Sequence, residues 1–296
     1  MSAMRAVPLT DALGAELVDF DITAMPTADE QAEVRRLFRQ YHLLLVRGQD
    51  VTVDAHDRFV SCLGPIQSNR VGDAAGYVTN QDHPRSVFGD ELWRLLWHND
   101  GAYGPKPGIA TSLWAEVMSS TATPTQFANA VEVVDRLPAD LFEQVQRLRI
   151  VNAVDTASLR TYERVPYDEI VASDGAERYV TYEHPVLFDP PHLDRKAIIA
   201  SEQMTVHVVG LDPAEGDAFL QSLYAHLYAD DNVYTHHWRP NDIVVWDNIA
   251  LHHSRPAAPG PEPRHLRRQC IDGWRRDDGS VLEWTLSLAM RPSASR

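Results

Sequence analysis

Cysteine is close to absent from this chain. Cys62 and Cys270 lie far apart, so neither a Cys-X-X-Cys metal pair nor a disulfide framework is available. Both read as reduced thiols of a cytoplasmic protein. Long apolar runs are missing too. No stretch approaches the ~18 consecutive apolar residues of a membrane span. The leading MSAMRAVPLT has no long apolar segment, so a signal peptide is not expected. Positive charge is in deficit, with 27 Lys and Arg against 42 Asp and Glu and a net charge of −15. Such a surface repels phosphate backbones, which argues against nucleic acid as substrate or partner. Neither G-x-G-x-x-G nor a Walker A pattern occurs, which disfavours a Rossmann fold.

What is present is ample material for a core: 44% of the 296 residues are hydrophobic. ADEQAEVRRLFRQYH (28–42) has helical spacing, with Thr27 and Glu30 placed for a capping box. LLLVRG (43–48) reads as a buried strand. VDAHDRFVSCLG (53–64) reads as a helix ending at a glycine cap. The spacing predicts short helices over 129–137 and 139–148 and a strong amphipathic helix over 213–229. Strands are predicted at 109–118, 197–201, 233–238, 242–248, 267–274 and 282–288. Residues 66–92 read as loop with short strands. The charged, weakly periodic 154–178 reads as a loop or lid. The fold class is therefore mainly β with flanking helices, in a sandwich or jelly roll.

The chemistry gathers around two segments. LWHNDGAY (96–103) sets His98 and Asp100 two residues apart, so in a strand both would point to one face. An imidazole and a carboxylate make up two thirds of a 2-His-1-carboxylate iron site. The second segment, WDNIALHHSRP (246–256), follows a strand with a turn pair and two histidines, either of which could supply the third ligand. Downstream lie Arg255, Arg264, Arg267 and Arg268. A guanidinium stays charged when buried and binds carboxylates through two N–H groups. Iron ligands beside a fixed cation suit an oxidase with a dicarboxylate co-substrate. One end of that molecule would chelate the metal while the other met an arginine.

Taken together, GAELVDFDI, HLLLVRGQ, WHND, RPNDIVVWDN and HHSRP make the chain resemble the taurine dioxygenase-like (TauD/TfdA) family of iron(II)/2-oxoglutarate dioxygenases. The resemblance covers most of the chain and implies a single domain over 1–296 with a double-stranded β-helix (jelly-roll) core. In the family a threonine follows the first histidine by about 27 residues, which falls on Thr125. Counting 15 back from Arg268 and five on from Asn248 both give His253 as the distal ligand. The resemblance implies Fe(II) held by His98, Asp100 and His253. It implies the distal carboxylate of 2-oxoglutarate on Arg268 and Thr125, with Arg264 near the C1 carboxylate. It departs from the family at TATPT (121–125), where Pro124 stands in place of an acidic residue. O2 is the third reactant, and succinate and CO2 are released as a substrate C–H bond is oxidised, most simply by hydroxylation. Desaturation and oxidative cleavage use the same cofactors. A carboxylate at position 100 fills the place that related halogenases leave for chloride.

A small, anionic organic substrate is expected, with Arg94 and Asn152 as the residues proposed to meet it. Homo-oligomerisation is left open. His184, His236 and His237 are assigned to structure, and Trp97, Trp114 and Trp246 to the core. A zinc hydrolase on the same fold could use the same three ligands but would not need a distal arginine. A non-catalytic jelly roll would not need the ligands to converge.

Overall fold

LLLV at 43–46 lacks polar alternation because both of its faces are covered. It forms β3 (Leu43–Val46), with every residue buried. Leu43 and Leu45 join one core, and Leu44 and Val46 the other. Its neighbour β14 (Ile243–Asp247) divides the same way: Val244 and Trp246 point inward, Ile243 and Val245 outward. This is the two-residue period of a strand expressed in packing.

The computed structural model describes residues 4–67, 76–80, 94–154, 165–172, 179–257 and 263–284. These strands belong to a seven-stranded sheet of order β1-β2-β3-β14-β6-β16-β4. Its other members are β1 (Arg5–Pro8), β2 (Ala15–Val18), β4 (Tyr77–Thr79), β6 (Ala110–Met118) and β16 (Arg264–Cys270). A four-stranded sheet comprises β13 (Val233–His236), β7 (Thr125–Asn129), β15 (Leu251–Arg255) and β5 (Leu95–His98), in that order. Phe127 and Leu251 of the smaller sheet share a core with Leu45 and Trp246 of the larger. The Phe127 and Trp246 rings meet edge to face at 5.3 Å. The outer face of the large sheet is covered by α1 (Ala28–Tyr41) and α2 (Val53–Ser61) through Val34, Leu37, Phe38 and Phe59. A third sheet of β8 (Arg149–Ala153), β9 (Thr181–Pro185) and β12 (Thr205–Val208) follows α3 (Ala139–Arg147) in the chain and is packed through β12 against α5 (Pro213–Leu227). Among the described residues, no helix is long and apolar enough to cross a membrane.

Most of the predicted elements are present, and the exceptions have local causes. The Thr27–Glu30 capping box forms with both of its bonds. Gly64 does not cap α2, which closes at Cys62 through a bond to Phe59 O. A Cβ at Gly64 would lie 2.1 Å from Gly273 O, so the glycine admits the backbone of the last strands. The helix expected over 129–137 is a 3-10 turn at Glu132–Arg136, because Asn129 completes β7. Of the lid proposed over 154–178, the short helix α4 (Tyr167–Val171) is described. Residues 155–164 and 173–178 of it lie outside the described residues, as do 285–288 of the last predicted strand.

The junction of α2 with the large sheet carries a pH dependence. His56 is fully buried; its Nδ1 accepts from Arg267, so Nε2–H donates to Ser112 Oγ at 2.8 Å. Burial, aided by Arg267, pushes its pKa down to about 3 from 6.5. The unfolded chain then binds a proton that the folded chain refuses. Stability from this group is full above pH ~6.5 and is lost progressively below it. We expect about 2 kcal/mol of loss between pH 7 and pH 5 from His56 alone. Urea unfolding at the two pH values should show that increment shrink in His56→Gln; an unchanged difference would remove His56 as its source.

Candidate active site

β15 runs antiparallel to β5 with His253 directly opposite His98, and the two imidazole centroids are 4.1 Å apart. β5 ends at His98, so Asp100 is not placed by strand parity as the two-residue spacing suggests. It sits in the following turn, where Gly101 takes φ +74°. The turn is held by Asn248, whose Oδ1 accepts from Asp100 N at 2.8 Å. Asn248 Nδ2 donates to the carbonyls of Asp100 and Gly108. Asn99 returns the contact, donating to Asn248 O and Leu251 O. Two amide side chains thus lock the ends of the ligand-bearing strands together. Behind them, Asp247 binds the backbone N–H groups of Ile249 and Ala250 and pairs with buried His192 at 2.6 Å.

His98, Asp100 and His253 each present a ligand atom within 4.8 Å of the others. Asp100 Oδ1 is 3.7 Å from His98 Nε2 and 3.8 Å from His253 Nε2. His98 Nδ1 faces the Leu96 carbonyl at 2.8 Å. A carbonyl accepts, so Nδ1 carries the proton and the Nε2 lone pair faces the centre. Burial lowers the pKa of both histidines and keeps them neutral. Burial alone would raise Asp100, but Arg268, by its charge and its hydrogen bond, holds the carboxyl well below the usual range. All three groups are therefore in the protonation state a divalent metal requires. The donor set of two imidazoles and one carboxylate with open positions fits iron(II).

His252 lies on the opposite face, as strand alternation demands. Its Nε2–H donates to Ile198 O at 2.8 Å and its Nδ1 accepts from Tyr228 OH at 2.9 Å. Nothing on it is left to bind a metal.

The residues expected to bind 2-oxoglutarate divide differently from the expectation. Thr125 is met by Arg264, not Arg268: Arg264 Nη2 donates to Thr125 Oγ1 at 3.2 Å, and Trp238 Nε1 donates to the same oxygen at 3.0 Å. With both lone pairs engaged, the Thr125 O–H remains unspent among the described residues. Arg264 is buried, and among the described residues its Nη1 has no hydrogen-bond partner and no carboxylate pairs with it. Burial, then neighbouring Arg255, pull its pKa well below the usual arginine range. An arginine keeps its charge nonetheless, so the position calls for an anion. Arg268 instead donates to Asp100 Oδ2 at 2.7 Å, and its remaining N–H groups are unspent among the described residues. The two arginines stand four positions apart on β16, which sets Arg268 beside Asp100 and Arg264 about 13 Å along the strand.

The expected substrate-lining role of Asn152 is not met. It is fully buried, donates to Ala102 O and Ile199 O, and accepts from Thr205 Oγ1. Its amide braces the 99–104 turn from behind and has no group left over. Arg94 is exposed one residue before β5. Sequence reading missed Asn99, Thr111, Asn248 and Trp238. Asn248 and Asn99 carried a signal, as amides beside the proposed ligands; Thr111 and Trp238 sit in strand-like stretches that give none.

Three likenesses bear on this geometry. A pentalenolactone F synthase of Streptomyces arenae is 27% identical over 64% of this chain and 65% of its own length. The alpha-ketoglutarate-dependent 2,4-dichlorophenoxyacetate dioxygenase of Cupriavidus pinatubonensis is 26% identical over 89% of this chain and 96% of its own. The crystal structure of AAD-2 with Mn(II) and N-oxalylglycine shares the fold, with a TM-score of 0.75 at 20% identity over 96% of this chain and all of that one. The sequence profile of the "Taurine catabolism dioxygenase TauD, TfdA family" matches residues 5–270, and the chain belongs to that family of Fe(II)- and 2-oxoglutarate-dependent dioxygenases.

Proposed function

We propose that the whole chain acts as one dioxygenase unit that hydroxylates a C–H bond of a small organic anion. When bound, Fe(II) and 2-oxoglutarate turn O2 into the oxidant, releasing succinate and CO2. The chain's own residues set where each partner lies. His98, Asp100 and His253 would hold the metal. Thr125 and Arg264 would take the distal carboxylate, through the unspent threonine O–H and arginine Nη1–H. Phe127 lies opposite His253, and Thr125 is two residues along the same strand face, about 7 Å away. That separation suits a five-carbon diacid anchored at the metal by its other end. Asp100 occupies the position a halide would need, which favours hydroxylation over halogenation.

The observation that carries the anionic substrate is the charge left over. A divalent ion, Asp100, the 2-oxoglutarate dianion and Arg264 cancel one another. Arg268 then adds a positive charge beyond those four beside the reacting centre; it bonds Asp100 through one N–H group and its side chain is 20% exposed. An anion there would be held by charge-assisted bonds in a partly dry site. Arg94 is a second cation ahead of the same strand. The test is a succinate-release screen that pairs small carboxylates and sulfonates with their amides. Turnover of acids over amides, with the preference flattened in Arg268→Met, is the expected pattern; equal turnover of neutral analogues would reject an anionic substrate.

A further inference from the structure

Asp100 has two carboxylate oxygens, and something must decide which of them faces the metal. Oδ1 is the one turned to His98 and His253, at 3.7 and 3.8 Å. Oδ2 points away and receives two donors. One is Arg268 Nη2 at 2.7 Å; the other is the hydroxyl of Thr111 at 3.2 Å. Thr111 lies on β6, the strand between β14 and β16, opposite Trp246 on one side and Cys270 on the other. It is 2% exposed, so its hydroxyl has no water to turn to. Cys270 Sγ, 3.6 Å away, approaches the hydroxyl from behind. With the threonine proton given to Asp100, the thiol is the donor, and the chain runs Cys270 to Thr111 to Asp100.

We infer that Thr111 is a positioning residue of the metal centre: its hydroxyl captures Asp100 Oδ2 and keeps Oδ1 turned to the two imidazoles. The inference rests on the reading of His98, Asp100 and His253 as metal ligands. Arg268 alone cannot perform this task reliably. Its guanidinium is long-stemmed, and an anionic substrate would compete for it. Thr111 is short, β-branched and set in an interior strand of the large sheet, so its hydroxyl keeps one place. Without it Oδ2 is held by Arg268 alone, and the preformed arrangement of three ligand atoms loosens. Partners that orient a metal ligand in this way are typically worth about 10–100-fold in metal affinity.

The test is Mn(II) binding to the full chain, without 2-oxoglutarate, read from the loss of the free-ion paramagnetic resonance signal. Thr111→Val keeps the shape and removes the hydroxyl; Thr111→Ser keeps the hydroxyl and removes the methyl. The valine variant should bind Mn(II) about 10–100-fold more weakly than the unaltered protein, and the serine variant close to it. Thermal unfolding of the metal-free variants separates loss of fold from loss of affinity. If valine does not fold, the comparison of Thr111→Ala with Thr111→Ser isolates the hydroxyl in the same way. Wild-type affinity in both hydroxyl-free variants would overturn the inference while leaving the metal centre standing, and so would equal weakening by serine and valine. Failure of the unaltered protein to bind Mn(II) would instead remove the metal-centre reading and this inference with it.

Discussion

His253→Ala is expected to abolish Fe(II) binding and all 2-oxoglutarate turnover, while its neighbour His252→Ala keeps both. The two side chains leave the strand on opposite faces. His253 meets His98 and Asp100; His252 is spent between Tyr228 and Ile198. Removing a direct ligand should exceed the roughly 10–100-fold cost of removing an outer partner. Removing His252 deletes two buried hydrogen bonds and leaves a small void, on the order of 1–3 kcal/mol of stability. Anaerobic Fe(II) titration of both variants, with thermal unfolding alongside, distinguishes them. Metal retained at 253 and lost at 252 would mean that the ligand face has been read one residue out of register.

The second large effect is expected at Arg264. Arg264→Met should weaken 2-oxoglutarate binding by on the order of 2–5 kcal/mol, a 30-fold or greater loss of affinity. Metal affinity should stay nearly unchanged, because Arg264 touches none of the three ligands. The same substitution should not cost the ligand-free protein much stability and could add to it. It removes a buried charge with no carboxylate partner among the described residues, and such a charge is expensive until an anion arrives. Opposite signs on affinity and stability distinguish an anion seat from a structural arginine. Arg268→Met should show the reverse emphasis, with 2-oxoglutarate affinity largely kept and the preference for acidic substrates lost. If 2-oxoglutarate affinity instead collapses in Arg268→Met and survives in Arg264→Met, the distal carboxylate sits on Arg268, as the sequence resemblance implied.

The two arginines show where sequence reading stops. Residues four apart on a strand share a face, so spacing alone cannot say which of Arg264 and Arg268 reaches the metal. That depends on how β16 registers against β6, and the register shifts between His265 and Leu266. Periodicity was a better guide where one element settles the matter. Alternation in β15 separates His252 from His253, and the Thr27–Glu30 pair marks the start of α1 because both partners are local. His98 and Asp100 were legible as a pair, though for an incomplete reason. Their convergence depends on Asn248, about 150 residues away, gripping the Asp100 backbone. Thr111 was invisible for the same kind of reason. A threonine in an apolar strand has no signature until folding places a carboxylate beside it.

The metal centre is tested most directly by an anaerobic titration of the full chain with Fe(II) and 2-oxoglutarate, followed through the visible absorption that iron gains on chelating the keto acid. The band should appear when both are present, saturate at one iron per chain, and be lost in Asp100→Ala. Absence of the band in the unaltered protein, or its persistence at full strength in Asp100→Ala, would contradict the placement of the centre at His98, Asp100 and His253.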